Sequence, residues 1–261
     1  MRKLAFTLAA SAALVTVTVA APVRAEDEIK LPSPGWSFKG PFGTYDRAAL
    51  QRGFQVYKEV CASCHSLTYV HYRDLGPAGP DGGIGFSEEE VKAIAAGVQV
   101  TDGPNDNGEM FERAGRPYDK FKAPFANANA ARAANNGALP PDLSLIVKAR
   151  EGFEDYVYGI LTGFADAPAD VKMMEGMNYN KYFPGHQIAM PPPLTDDRVT
   201  YADGTKATIA QEAHDVVTFL SWASEPTLEM RKRIGMKSMI FLLVLSGLLY
   251  AVKRKVWRDV H

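Results

Sequence analysis

The sequence predicts a mainly α-helical domain with long loops, followed by one C-terminal transmembrane helix. Three observations carry this expectation. Apolar residues recur at spacings of three and four in a few separated stretches, and Gly-, Pro- and Asn-rich segments lie between them. Near the end, an apolar run from Ile234 to Val252 contains only Lys237 as a charge.

The two ends read as targeting and anchoring. Arg2-Lys3, the Ala-rich run Leu4 to Ala21 and the small residues at Val23-Arg24-Ala25 have the form of a secretory signal peptide, so residues 1–25 are expected to be removed and Glu26 to lead the mature chain. At about 1.5 Å per residue the run 234–252 reaches close to 30 Å, enough to span a hydrocarbon core. Arg231-Lys232-Arg233 precede it, and Lys253-Arg254-Lys255, Trp257 and Arg258 follow, as suits headgroup layers. Basic residues balance across the span, so charge alone leaves its orientation open. Export of residues 26–226 places the tail 253–261 on the cytoplasmic or equivalent side. The expected organisation is a signal peptide (1–25), an exported domain complete by Pro226 (26–226), and an anchor with a short tail (227–261). Such a chain would be single-pass in a cell inner membrane with its head periplasmic, or on the equivalent mitochondrial side. The net charge of −1 hides an asymmetry: residues 26–226 hold 18 basic and 28 acidic residues, so an acidic head is joined to basic ends. No nucleic-acid partner is expected.

Residues 27–45 look like an extended arm. Asp46 is a plausible N-cap, and Leu50, Phe54, Tyr57, Cys61 and Cys64 form one helical stripe that carries both cysteines. Ser87 with Glu90 makes a capping box for a short helix ending near Gly97. Residues 100–139 read as a long loop, 142–149 and 152–163 as short helices, and 164–207 as irregular. Thr208 with Gln211 opens a helix whose apolar face is Ile209, Ala213, Val216, Leu220 and Ala223. Pro226 ends it, and Thr227 can cap the anchor helix.

Chemistry concentrates at Cys61-Ala62-Ser63-Cys64-His65. Two thiols at this spacing can add across the vinyl groups of a haem, and the adjacent His65 can then bind the iron. A zinc site would need a second pair, and these are the only two cysteines. A thioredoxin-type pair needs no following His and sits by a βαβ pattern, which is not found. One covalently attached haem c is therefore expected. The other axial position has several candidates. Met190 stands out because Pro191-Pro192-Pro193 denies its segment a helix and holds it extended; His71, His186 and His214 are rivals. With His65 and Met190 both bound, no open position would remain. Outer-sphere electron transfer is then favoured over ligand sensing or oxygen chemistry.

The motifs RGFQVYKEVCASCHS, ARAANNGALPPDLS, AREGFEDY, YFPGHQIAMPP and FLSWASEP, in this order before a basic-flanked anchor, resemble the cytochrome c1 family, the haem subunits of cytochrome bc1 complexes. The likeness runs from about residue 46 to the C-terminus. It implies a class I cytochrome c-like haem domain and makes Met190 the sixth ligand. Haem contacts are implied for Asn135, Pro141, Arg150, Tyr156, Phe183 and Ile188, with Arg150 and Tyr156 near the propionates. The implied role is that of an electron carrier, not an enzyme on its own. A Rieske iron–sulfur protein would be the donor, a soluble basic cytochrome c or c2 the acceptor, and cytochrome b the membrane partner, in a homodimeric complex. The alternative is a membrane-anchored monohaem cytochrome c of another respiratory chain. Some bacterial members carry an extra Cys pair in the region matching residues 165–187. This chain has none there, so that loop is expected to be held by packing alone.

Overall fold

Asp46 accepts the backbone amides of Ala48 and Ala49 and opens α1, Arg47–Glu59, in the computed structural model, which describes residues 29–78 and 82–259. The expected signal peptide lies outside the described residues. Leu50, Phe54 and Tyr57 are buried as their spacing predicts, but the helix stops short of the cysteines. Cys61–Ser63 form a separate 3-10 turn, in which the amides of Cys64 and His65 both turn back to the Cys61 carbonyl. Ser63 Oγ caps the Val60 carbonyl at 2.8 Å, so the tightening is built into the motif itself.

α1 packs on the long helix Ile209–Ser224, here α5. At their crossing a Cβ on Gly53 would lie 2.0 Å from the Asp215 carbonyl oxygen and 2.8 Å from Phe219 Cβ, so only glycine admits this approach. Phe54 and Tyr57 tilt against the Phe219 ring at 5.7 and 5.8 Å. Beside the crossing, Arg52 forms paired bonds of 2.8 and 3.0 Å to the buried Asp215 carboxylate and a third, of 2.9 Å, to Asp203. The expected single apolar face of α5 is an understatement, since from Glu212 to Ser224 every residue but His214 is buried. α1 covers one side of α5, and α4, Phe153–Thr162, packs on another. From the N-terminal arm, Trp36 stacks on His214 at 5.0 Å and donates through Nε1 to Asp155 on α4 at 2.6 Å.

Elsewhere the caps are mixed. The Ser87–Glu90 box forms as expected and opens α2, Glu88–Ala96, which ends at Gly97. Thr208 caps through the Gln211 amide, but the Gln211 side chain turns to Asp215 instead of completing a box. Thr227 makes no side-chain cap. The stretch read as loop over 100–139 holds an antiparallel hairpin, β1 Gln99–Asp102 with β2 Phe111–Ala114, and a short helix α3, Ala128–Ala134. The hairpin lies on the surface and is held by Arg113 clamping Asp102 and Asp119. It buries no apolar face and so gives no period-two signal. Residues 143–149 form bends and turns in place of the expected helix, with Leu143 N bonded to the Ser66 carbonyl and Ser144 N to Asp142. A second small ladder, β3 Asn178–Tyr179 with β4 Gln187–Ile188, lies in the segment read as irregular.

The last helix, α6, spans Leu228–Trp257, with a window of mean hydropathy 1.8. Its first turns are tied to the head. Tyr45 N and Arg47 bond the Glu229 carboxylate at 2.9 and 2.8 Å, and Lys232 donates to the carbonyls of Phe38 and Gly43 at 2.5 and 3.0 Å.

Asp215 beside His214 holds that imidazole above its ordinary value, against the opposing effect of burial. A raised folded value stabilises the fold fully below the unfolded pKa, about 6.5, and the benefit fades as pH rises through the folded value. The melting advantage of the native chain over His214→Gln should therefore be largest near pH 5.5 and shrink toward pH 8.5. An advantage that grows with pH in thermal melts would show that His214 works there as a neutral stacking partner.

Candidate haem-attachment site

The turn Cys61–Ser63 leaves both thiols uncrosslinked and half-buried, with His65 directly after. Burial pushes the Cys61 thiol up to about 12, with Cys64 adding to the shift. The decisive contact is that of His65. Its Nδ1 lies 2.8 Å from the Pro141 carbonyl oxygen. A carbonyl only accepts, so Nδ1 carries the proton and Nε2 presents its lone pair. Burial lowers the His65 value and keeps the ring neutral, although the Pro141 carbonyl and Asp142 pull the other way. The Tyr57 hydroxyl donates to the His65 carbonyl at 3.2 Å, fixing the backbone from the α1 side.

Asp142 holds the Pro141 side in place. One of its oxygens accepts Ser66 Oγ at 2.8 Å and Thr68 N at 3.0 Å, and the other accepts Ser144 N at 2.8 Å. Leu143 N donates to the Ser66 carbonyl and Tyr69 N to Ser144 Oγ, so segments 65–69 and 141–144 run laced together. Burial would raise the Asp142 carboxyl, but the hydrogen bonds from Ser144, Thr68 and Ser66 hold it below the usual range.

The remaining expected site residues come from three further segments. Asn135 ends α3, and its Nδ2 donates to the Ala131 carbonyl at 2.7 Å. Arg150 is exposed before α4 and lies beside the half-buried Tyr156 of that helix. Phe183 lies in the loop that β3 and β4 close, Ile188 in β4 itself, and Met190 two residues beyond it. Asn178, paired with Ile188, donates from Nδ2 to the Met190 carbonyl at 3.3 Å. Asn136 meets the stretch just before β3 at Gly176, where a Cβ would stand 3.1 Å from its Nδ2. The rival histidines are engaged elsewhere: His71 bonds with Asp74, His186 with the Asn180 carbonyl, and His214 with Trp36. Loop methionine Met174 is exposed.

The Cytochrome C1 family model matches residues 36–260. The chain belongs to the cytochrome c1 family. It is 48% identical over 251 residues to the cytochrome c1 of Rhodospirillum rubrum, covering 90% of each chain. To the "Cytochrome c1, heme protein, mitochondrial" of Saccharomyces cerevisiae it is 47% identical over 246 residues, 94% of this chain and 78% of the relative. It is also 52% identical over 255 residues to the "Cytochrome b/c1" of Bradyrhizobium diazoefficiens, but spans only 37% of that longer protein. Against this family background the donor set has a consistent chemistry: two thiols for thioether bonds, a neutral imidazole with Nε2 free, and a thioether in a proline-stiffened segment. These residues fit haem c.

Sequence reasoning missed Asp142, Asn178 and Asn180, whose work is to hold backbone. Asp142 two residues before Ser144 is an Asx-turn signal that a helical reading concealed. Replacing Asp142 with Ala should cost about 1–3 kcal/mol in chemical denaturation, because it strips three hydrogen bonds from partly buried donors. A loss below a few tenths would mean that water replaces the carboxylate fully.

Proposed function

We propose that this chain is the haem-bearing electron-carrier subunit of a quinol–cytochrome c oxidoreductase. It takes one electron from a Rieske iron–sulfur protein and gives it to a soluble, basic cytochrome c or c2. Its membership of the cytochrome c1 family makes it a haem electron-transfer protein anchored by α6. The observation that carries the residue assignment is the His65–Pro141 bond, which turns a histidine beside two thiols into an oriented ligand.

When bound, the haem supplies a one-electron iron couple. Cys61 and Cys64 would hold it by thioether bonds, and His65 through Nε2 and Met190 through its sulfur would hold the iron. With both residues holding the iron, small molecules would find no place on it, and the Pro141 bond fixes the orientation of the His65 imidazole. Asn135, Pro141, Phe183 and Ile188 would line the group. Arg150 beside Tyr156 supplies a guanidinium and a hydroxyl suited to propionate oxygens. The acidic balance of residues 26–226 suits a basic acceptor, since opposite charge steers encounter.

In this reading the haem domain occupies residues 26–226 on the periplasmic or equivalent side. α6 crosses the membrane once against cytochrome b, within a homodimeric complex. Affinity purification of the full chain from detergent-solubilised membranes tests the assembly. Recovery of a cytochrome b and an iron–sulfur protein in equal amounts is expected, and recovery with oxidase subunits instead would overturn it.

For the ligand assignment, Met190→Leu keeps volume but removes sulfur. The reduction potential should fall and the reduced haem should bind CO, whereas Met173→Leu, Met174→Leu and Met177→Leu should leave both nearly unchanged. Redox titration and CO difference spectra provide the check, and an unaltered Met190→Leu protein would rule the assignment out.

A further inference from the structure

Asn180 is completely buried, and every polar atom of its amide is used across the gap between α4 and the loop that leads to Met190. Its Nδ2 donates to the Ile160 carbonyl at 2.8 Å, one of the last carbonyls of α4, which lacks a partner within the helix. Its Oδ1 accepts the Tyr182 amide at 3.0 Å. Its backbone closes the loop on itself: Asn180 N donates to the His186 carbonyl at 3.0 Å, and the Asn180 carbonyl faces His186 Nδ1 at 3.2 Å.

The surroundings are shaped to this side chain. A Cβ on Gly163 would stand 2.8 Å from Asn180 Oδ1 and 2.5 Å from the Tyr182 ring, so the end of α4 has no room for any other residue. Lys181 N donates to the Gly163 carbonyl at 2.9 Å, and Phe164 bridges Asn180. Just before Asn180, the ladder pairs Asn178 with Ile188 and Tyr179 with Gln187, and Asn178 reaches the Met190 carbonyl. Beside the Lys181–Gly163 bond and the Tyr182 ring, the Asn180 side chain thus ties the loop carrying Phe183, Ile188 and Met190 to the helix carrying Tyr156.

We propose that Asn180 is a positioning residue for the sixth ligand: by docking the 178–190 loop on the C-terminal end of α4, it fixes the backbone from which Met190 reaches the haem. This rests on Met190 being that ligand. A loop of this length, with no covalent cross-link among its residues, holds Met190 only as firmly as its anchor to a rigid element. Removing the anchor lets the loop open locally while α1 and α5 stay packed, and local opening of this kind precedes global unfolding. The expected signature is a weakened thioether bond in an otherwise folded protein.

The test uses the full-length haem-loaded chain with Asn180→Ala, and Asn180→Asp, which keeps the shape but replaces the donor to Ile160 with an acceptor. Thr218→Val, which removes a buried hydroxyl bonded to the His214 carbonyl on α5, is the structural control. Both Asn180 variants should lose thioether-to-ferric charge-transfer absorbance, bind CO when reduced and show a lower midpoint potential. Thr218→Val should lower only the melting temperature. Asn180 variants with a lowered melting temperature but native potential, absorbance and CO resistance would overturn the proposal. If Asn180→Ala does not accumulate, Asn180→Ser carries the same measurements. Met190→Leu, run alongside, separates the two claims. If it too is silent, the ligand assignment fails; if it alone responds, only the role of Asn180 fails.

Discussion

The close crossing of α1 and α5 at Gly53 is the constraint from which the head is built. The missing side chain lets the Asp215 backbone press against α1, and the flanking residues exploit that proximity. Arg52 grips the Asp215 carboxylate on one side, and Phe54 and Tyr57 meet Phe219 on the other. Because α1 ends two residues before Cys61, its direction sets where the cysteine turn emerges. The Tyr57 hydroxyl then fixes the His65 backbone directly from the helix. A larger residue at 53 would push α1 off α5 and move the cysteine turn with it.

Around this crossing the site is assembled by backbone hydrogen bonds to carboxylates and amides, and regular ladders contribute little. Asp142 laces the Pro141 segment to the His65 segment, and Asn178 and Asn180 secure the Met190 loop. Both lacings join pieces distant in sequence. Each uses a short, stiff side chain that loses little rotamer freedom on burial. The loop 165–187, expected to be held by packing alone, is held by a hydrogen-bonded amide and a two-residue ladder as well.

Five helices were legible in the sequence: α1 and α5 from period and cap, α2 from its capping box, α6 from its apolar length and basic flanks, and α4 at nearly its expected bounds. What escaped notice buries little. The hairpin 99–114 exposes most of its residues and stands on Arg113 and its two aspartates, so no alternation marks it. Residues 143–149 carry helix-forming side chains and Asp142 even accepts the Ser144 amide as an N-cap would, yet the segment stays in bends and turns, laced to residues 66–69. The cysteine stripe fitted a continued helix because a 3-10 turn keeps nearly the same face for three residues. The motif Cys61–His65 announced its chemistry without help. Arg150 and Tyr156, by contrast, entered through family likeness, and only their adjacency in space gives the pair physical content.

The central claim is that this chain binds haem c with both axial places taken by its own side chains, His65 and Met190, and so carries electrons without binding small ligands. The most direct measurement is the optical spectrum of the native full-length protein, oxidised and then reduced under CO. The account predicts a low-spin spectrum with a thioether-to-ferric charge-transfer band and a reduced form unchanged by CO. A high-spin reduced form that takes up CO would contradict it.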